Sequence, residues 1–83
     1  MQRERIDVIA YAGRMGDERP EIFILRGLRI DVVEIMDAWI EDGLQNRARR
    51  RFFRVRGNDN NTHRICYDEE GLEWIYASQH PGK

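Results

Sequence analysis

Short apolar runs alternate with polar positions along most of the chain, and clusters of turn-forming residues separate the runs. Alternation over residues 6–11 predicts a first strand, and the almost wholly apolar segment 21–25 predicts a second. Gly27 suits the tight turn of a hairpin, and renewed alternation over 28–32 predicts a third strand. Spacing of this kind is typical of an antiparallel β meander.

The segment from Asp31 onward fits two structures. As a helix, Asp31 and Glu34 would cap its first turn, and its apolar residues would share one face. As a strand, its β-branched residues are favourable, and Val32 with Val33 would form a bulge that bends a long ribbon. We take the strand as the prediction. A short helix at about 32–42, which would give an α+β fold, is the alternative.

Segments 51–56 and 62–67 predict the clearest hairpin. Both carry apolar residues at alternate positions, and a one-residue slip in their pairing would turn one apolar set away from the core. Both sets face the same core only if the numbers of opposed residues sum to an even value, which the polar loop between the segments permits. The predicted opposed pairs are Phe53 with Ile65, Val55 with His63 and Arg56 with Thr62.

A last strand over 72–76 follows an acidic turn and completes a single domain spanning residues 1–83. The predicted fold is mainly β, with five antiparallel strands in a curled sheet or a small SH3-like or OB-like barrel. The polar ends, 1–5 and 79–83, are expected to be loose. The aromatic residues expected in the core are Phe23, Trp39, Phe53, Tyr67, Trp74 and Tyr76.

Charge is distributed unevenly, although 14 basic and 15 acidic residues leave a net charge of −1. Residues 1–46 carry six arginines against ten acidic residues, and residues 65–83 carry one lysine against four acidic residues. The segment between them, 47–64, carries seven arginines against a single aspartate. Because guanidinium groups bind phosphate bidentately and stack on aromatic rings, this segment is the first candidate for a binding surface.

In the predicted hairpin, several of these arginines share the outer face with one aromatic ring. Arg54 would face Arg64 across the two strands, and opposed like charges weaken a sheet, so folding alone gives no reason for them. Arginines interleaved with an aromatic residue are typical of surfaces that bind single-stranded nucleic acid. The candidate site residues are Arg50, Phe52, Arg54, Arg56 and Arg64.

Other interpretations fit the same face. Acidic residues of the preceding segment would neutralise the arginines if they lay across from them; these are Glu34, Asp37, Glu41 and Asp42. An acidic protein partner would also suit the arginines, and Phe52 would suit a dimer interface. We therefore expect a non-enzymatic binding module. The alternative is a homodimeric interaction protein that pairs through an exposed strand edge or an aromatic patch.

No metal, cofactor or catalytic site is indicated. His63 and Cys66 have opposite parity on a strand and would point to different faces, and a structural zinc ion requires more ligands than these two. We expect His63 to be half-buried at the core edge and Cys66 to be a small buried apolar residue. The carboxylates of 68–73 belong to a turn that water reaches, which does not suit acid–base catalysis.

A single cysteine excludes an internal disulfide, and no apolar run approaches the roughly 18 residues that a membrane span needs. Met1 is not followed by the apolar segment of a secretory signal. A lone thiol in such a chain is typical of a reducing compartment. We therefore expect a cytoplasmic protein with no membrane partner.

An ordered set of short motifs runs through the chain. It consists of Arg19-Pro20, Phe23, the Gly27 turn, the run from Val33 to Trp39, the run from Phe52 to Arg56, Ile65, Tyr67-Asp68 and Trp74. This set resembles a family of small uncharacterised bacterial proteins, and the resemblance covers residues 6–76. A similar module occurs attached to polymerase-like DNA-repair proteins, which implies contact with nucleic acid. This chain lacks the aromatic-rich insertion that follows the tryptophan in some members.

Overall fold

Six strands follow one another along the chain, and each pairs antiparallel with the next. The structure is a computed structural model that describes residues 4–12, 18–42 and 49–80. The strands are β1 (Glu4–Ala12), β2 (Glu18–Leu25), β3 (Leu28–Asp42), β4 (Arg49–Gly57), β5 (Thr62–Asp68) and β6 (Glu73–His80). β1 also pairs with β6, so the meander closes on itself as a barrel.

This barrel confirms the mainly β prediction and is consistent with a small SH3-like or OB-like barrel. Six strands close the ring within the described residues, where five were expected. The segments predicted as strands already number six (6–11, 21–25, 28–32, 51–56, 62–67 and 72–76), so the expected count was one short. The alternative helix at 32–42 is not formed, since β3 pairs with β4 over this segment. β1 begins at Glu4 and β6 ends at His80, so strand pairing reaches into both ends that were expected to be loose. Residues 1–3 and 81–83 lie outside the described residues.

The core lies inside the barrel and is built from alternate residues of the strands, because successive side chains of a strand point to opposite faces. Its members are Ile6, Phe23, Leu25, Ile30, Phe53, Val55, Ile65 and Tyr76. Trp74 is partly buried and packs against this cluster, and the Tyr67 ring lies 5.1 Å from the Trp74 ring. The core positions expected for Phe23, Phe53 and Tyr76 are confirmed.

β4 and β5 form the predicted hairpin in the predicted register. The opposed pairs include Phe53 with Ile65, Val55 with His63 and Arg56 with Thr62. The strand turns at Gly57, where a Cβ atom would lie 2.6 Å from both the Ile30 and the Asp59 side chain. The turn is fastened to β3, because the Asn58 amide donates to the Asp31 carbonyl oxygen at 2.9 Å. This attachment fixes the position of the hairpin against β3.

His63 is fully buried, rather than half-buried as expected, because both of its ring nitrogens have partners. Nε2 lies 2.9 Å from the Asp59 carboxylate, which only accepts, so Nε2 carries the proton. In the neutral imidazole, Nδ1 then accepts from the Tyr76 hydroxyl at 2.8 Å. Burial raises the pKa of Tyr76 to about 12. Desolvation opposes ionisation of Asp59, but hydrogen bonds from the Asn61 amide and from His63 outweigh it and lower the pKa of Asp59.

β3 contains two bulges relative to β4, and together they decide where its side chains point. The first lies between Val32 and Glu34, as predicted, and the second lies between Ile35 and Asp37. Each bulge adds a residue and reverses the alternation of the strand. A single bulge would direct Trp39 into the core, whereas the second bulge returns it to the outer face. The prediction that Trp39 belongs to the core is therefore wrong.

Candidate functional site

Four apolar side chains form a row across the outer face of strands β3 to β6. In the sheet, Trp39 lies opposite Phe52, Phe52 opposite Cys66, and Cys66 opposite Ile75. Cys66 and Ile75 are buried, yet neither belongs to the core cluster inside the barrel. We call these four residues the outer apolar row. The outer face of the barrel thus carries a second, smaller apolar cluster that the core does not require.

Trp39 and Phe52 stack against each other at the β3 end of the outer apolar row. Their ring centroids are 5.4 Å apart and their planes differ by 7°. Both side chains are half-buried, so part of each ring meets solvent. Trp39 Nε1 donates a 2.9 Å hydrogen bond to the Glu41 carboxylate, which orients the indole. Two parallel, partly exposed rings form a surface on which another flat ring can stack.

Arg54 and Arg64 flank the outer apolar row on one side and face each other, as predicted. The Arg64 guanidinium carbon lies 5.5 Å from the centroid of the Trp39 ring, within the range of a cation–π interaction. Arg54 lies 4.0 Å from the Asp37 carboxylate, at the limit of an ion pair. Arg64 is exposed, and within the described ranges no carboxylate lies at ion-pairing distance from it. Arg64 is therefore available to a ligand beside the Trp39 ring.

Arg56 is paired more closely than Arg54. Its Nη2 and Nε atoms lie 3.2 and 3.3 Å from one oxygen of Glu34. The two pairs, Arg56 with Glu34 and Arg54 with Asp37, show that acidic residues of β3 do lie across from these arginines. Both pairs are partly exposed, and such pairs contribute about 0–1 kcal/mol each. They reduce the positive charge of the outer face more than they stabilise the fold.

Arg50 flanks the outer apolar row on its other side, opposite Glu41 of β3 and Asp68 of β5. Its side chain is half-buried, and its Nε atom is buried with no hydrogen-bond partner in the part of the chain that the structure describes. A buried donor without a partner costs about 1–3 kcal/mol. An acceptor on a bound molecule would satisfy this donor if the Arg50 side chain turned outward.

The structure places every predicted site residue on this outer face. These residues are Arg50, Phe52, Arg54, Arg56 and Arg64. It adds Trp39, which the sequence analysis assigned to the core. A signal for Trp39 was present, because it shares strand parity with Asp37 and Glu41, and a position between two acidic residues of the same parity belongs to the face that meets water.

His63 and Cys66 point to opposite faces, as predicted, since His63 lies in the core and Cys66 in the outer apolar row. Among residues 4–12, 18–42 and 49–80, no group of three or more His, Cys, Asp or Glu side chains is arranged to hold a metal ion. The same residues include no helix of the length and apolarity that crossing a membrane requires.

Comparison with known proteins gives no information about function, so the function proposed below rests on the geometry of the outer face. The chain matches no protein-family model, and no curated protein or solved structure matches it. The resemblance to a bacterial family therefore stays a prediction. The barrel by itself does not specify a function, because small β folds carry many unrelated binding sites.

Proposed function

We propose that the outer face of β3, β4 and β5 binds single-stranded nucleic acid. The observation that supports this proposal is the stack of Trp39 on Phe52, whose partly exposed rings lie beside the Arg64 guanidinium. A base can extend the stack, because every nucleic-acid base has a flat aromatic face. Arg64 is positioned for the phosphate that follows such a base. In this proposal the protein is a cytoplasmic binding module and does not catalyse a reaction.

Two features of the face have no reason in folding and acquire one if nucleic acid binds. Arg54 opposite Arg64 places like charges across two strands, which destabilises a sheet by a few tenths of a kcal/mol or more. The Nε atom of Arg50 is a buried donor without a described partner. Phosphate oxygens would remove the first penalty, because they neutralise guanidinium groups, and they would remove the second if the Arg50 side chain turned outward on binding so that its Nε atom could donate to them.

Stacking contributes more than charge to the expected affinity. Arg54 and Arg56 are already ion-paired with carboxylates, whereas among the described residues no carboxylate lies at ion-pairing distance from Arg50 or Arg64, which leaves these two for phosphates. On a single strand the logarithm of the affinity falls by about 0.7 per phosphate contact for each tenfold rise in salt, so these two arginines predict a slope of about −1.4. Stacking contributes about 1–3 kcal/mol per base. Binding should therefore weaken with salt only moderately.

The test is a titration of labelled single-stranded DNA and RNA oligonucleotides at several salt concentrations. Phe52→Ala should weaken binding by about 5- to 150-fold, the equivalent of one lost stacking interaction. Leu72→Ala, which truncates an exposed apolar side chain at the β5–β6 turn, should leave the affinity unchanged. No binding at tens of micromolar in low salt, or equal affinities for the two variants, would overturn the proposal.

An acidic protein partner would depend on the same arginines but not on a stacking ring. Arg64→Gln should lower the affinity for nucleic acid and for an acidic peptide alike, whereas Phe52→Ala should lower only the affinity for nucleic acid. A face that binds poly-glutamate and oligonucleotides equally, with no effect of Phe52→Ala on either, would identify a charge-driven surface and contradict the stacking mechanism.

A further inference from the structure

Within the part of the chain that the structure describes, one edge of β3 is unpaired over most of its length. β2 pairs with β3 only between Leu28 and Asp31, and from Val32 to Asp42 the strand pairs with β4 on its other side. In residues 4–12, 18–42 and 49–80 no further strand lies along that second edge. A strand edge with unpaired backbone groups is a template for pairing with another chain.

The straight part of this edge is short and well defined. The bulges at Val33 and Met36 interrupt the β3–β4 ladder, whereas residues 37–42 pair with β4 without a shift. Ile40 lies in this straight part and is 53% exposed, although it shares the inner side of the sheet with Phe53. A cavity of about 310 Å³ adjoins it. An unpaired, straight edge that carries an exposed apolar residue favours pairing with another chain.

The charges of β3 restrict how a second copy could pair with it. In an antiparallel pair related by a two-fold axis, opposed residues must lie on the same face, so their numbers sum to an even value. Centring the pair on Asp37, Glu41 or Asp42 opposes a carboxylate with its own copy, and centring it on Trp39 opposes Asp37 with Glu41. Like charges in these positions destabilise the pair.

Two positions of the two-fold axis remain, Ala38 and Ile40, and the bulge at Met36 excludes the first. Centring on Ala38 brings the bulge at Met36 into the ladder after one residue on each side. Centring on Ile40 opposes Ile40 with its own copy, Ala38 with Asp42, and Trp39 with Glu41. No acidic residue then faces another, and the exposed Ile40 side chains cover each other.

We propose that β3 pairs with β3 of a second copy of this chain, antiparallel and centred on Ile40. The two-fold axis of such a pair is perpendicular to the sheet, so the outer faces of both barrels lie on the same side. Two Trp39–Phe52 stacks would then form one continuous platform. That consequence rests on the proposed function, whereas the pairing itself does not. The ladder is short and would bury less than the ~1,200 Å² of a stable interface, so association should be concentration-dependent.

The first test is sedimentation equilibrium in the absence of nucleic acid. The wild-type protein should show a mass that rises from monomer toward dimer as its concentration approaches about 1 mM, the range of small, transient interfaces. Ile40→Lys should abolish the rise, because two cations would face each other at the axis. Leu72→Lys adds the same charge at an exposed apolar residue of the β5–β6 turn, outside β3, and should retain the rise in mass. A wild-type monomer throughout, or equal behaviour of both variants, would overturn the proposal.

The second test is cross-linking, which reads the register. Opposed residues of an antiparallel pair have Cβ atoms about 4.5–5.5 Å apart, close enough for a disulfide after a small shift. Ile40→Cys should cross-link to itself on oxidation. Ala38→Cys should not, but it should cross-link when mixed with Asp42→Cys. The wild-type protein, whose single cysteine is buried, provides the background. Equal cross-linking of Ala38→Cys alone would contradict the register.

Nucleic-acid binding by Ile40→Lys separates the two proposals. If the variant remains monomeric and still binds an oligonucleotide in a Phe52-dependent manner, both proposals hold, since the stack is complete within one copy. If the wild-type protein dimerises but binds no oligonucleotide, the proposed function fails and the strand pairing stands.

Discussion

The two faces of the β4–β5 hairpin differ in what the fold demands of them. On the inner face, Val55 and Ile65 have no exposed surface and form the centre of the core. On the outer face, the same two strands carry the half-buried ring of Phe52 and the opposed guanidinium groups of Arg54 and Arg64. Packing explains every residue of the first set and leaves the second unexplained.

This difference indicates that one pair of strands serves two purposes. Side chains that fill the barrel contribute to the free energy of unfolding, because their apolar surface leaves water on folding. The exposed and half-buried side chains of the outer face contribute less to that free energy and form the surface that a partner can contact, whereas the buried Cys66 and Ile75 also contribute to stability. Substitutions on the two faces should therefore have separable effects on stability and on binding.

The largest effect is expected on the inner face. Ile65→Ala should lower the free energy of unfolding by about 2–5 kcal/mol, since it leaves a cavity in a fully buried site. Urea unfolding followed by circular dichroism measures the loss. Arg64→Ala, one residue earlier on the outer face, is the matched control and should change stability by no more than about 0.5 kcal/mol. Similar losses for both would refute the division between the faces.

The next effect is a loss of stability at alkaline pH. The pKa of Tyr76 in the folded protein, about 12, lies above its ordinary value of 10.0, so the unfolded chain ionises first. The contribution is complete below pH 10 and is lost as pH rises toward 12, amounting to about 3 kcal/mol. Unfolding measured across this range checks it. Absorbance titration should show one of the three tyrosines ionising last, and Tyr76→Phe should remove that one.

A smaller loss is expected where the inner face meets the β4–β5 turn. Gly57→Ala should destabilise the protein by about 1–3 kcal/mol, because the new methyl group would overlap the Ile30 and Asp59 side chains. Gly71→Ala is the control, since a Cβ there meets only the ends of flexible carboxylate side chains at 3.3 Å or more. Thermal unfolding of the two variants compares them. Equal stabilities would mean that the Ile30 and Asp59 side chains move to make room for the methyl group at little cost, contrary to this prediction.

The smallest effect on stability belongs to the outer face. Arg64→Glu removes the repulsion with Arg54 and loses the contact with Trp39, and these opposed changes should leave the free energy of unfolding within about 0.5 kcal/mol of wild type. Oligonucleotide binding should nevertheless fall. Arg19→Glu, an exposed change of equal charge on β2, should preserve binding. Parallel losses in both variants would show that net charge, rather than this face, determines the affinity.

The alternation of apolar residues was sufficient to predict most of the fold. The register of the β4–β5 hairpin follows from parity together with the length of the polar loop, because only an even sum places both apolar sets in one core and the loop selects among the even sums. The segment 32–42 could not be assigned in the same way, since its apolar residues fit the period of a helix as well as that of a bulged strand. This segment forms a strand rather than a helix because it pairs with β4, which is an interaction between residues distant in the chain.

The sequence predicted the arginines and Phe52 of the candidate site but not Trp39, whose ring stacks on Phe52. The bulge at Met36 reverses the alternation of β3, and its position depends on how the ladder with β4 is formed, which a local pattern does not determine. Without that bulge, Trp39 would point inward. The ion pairs of Arg54 and Arg56 with β3 depend on the same ladder. The sequence therefore offered them only as an alternative, and the structure shows that they form.

The closure of the barrel has a consequence for the order in which it forms. β1 and β6 pair only along Glu4–Ile6 and Trp74–Tyr76, whereas β4 and β5 pair along Arg50–Arg56 and Thr62–Asp68. Among the six described strands, every other ladder joins strands that are neighbours in the chain, so the β1–β6 seam is the one ladder of these that requires distant segments to meet. Ring closure, rather than hairpin formation, should limit the folding rate, and among the amides that are paired between strands, hydrogen exchange should be fastest along the seam.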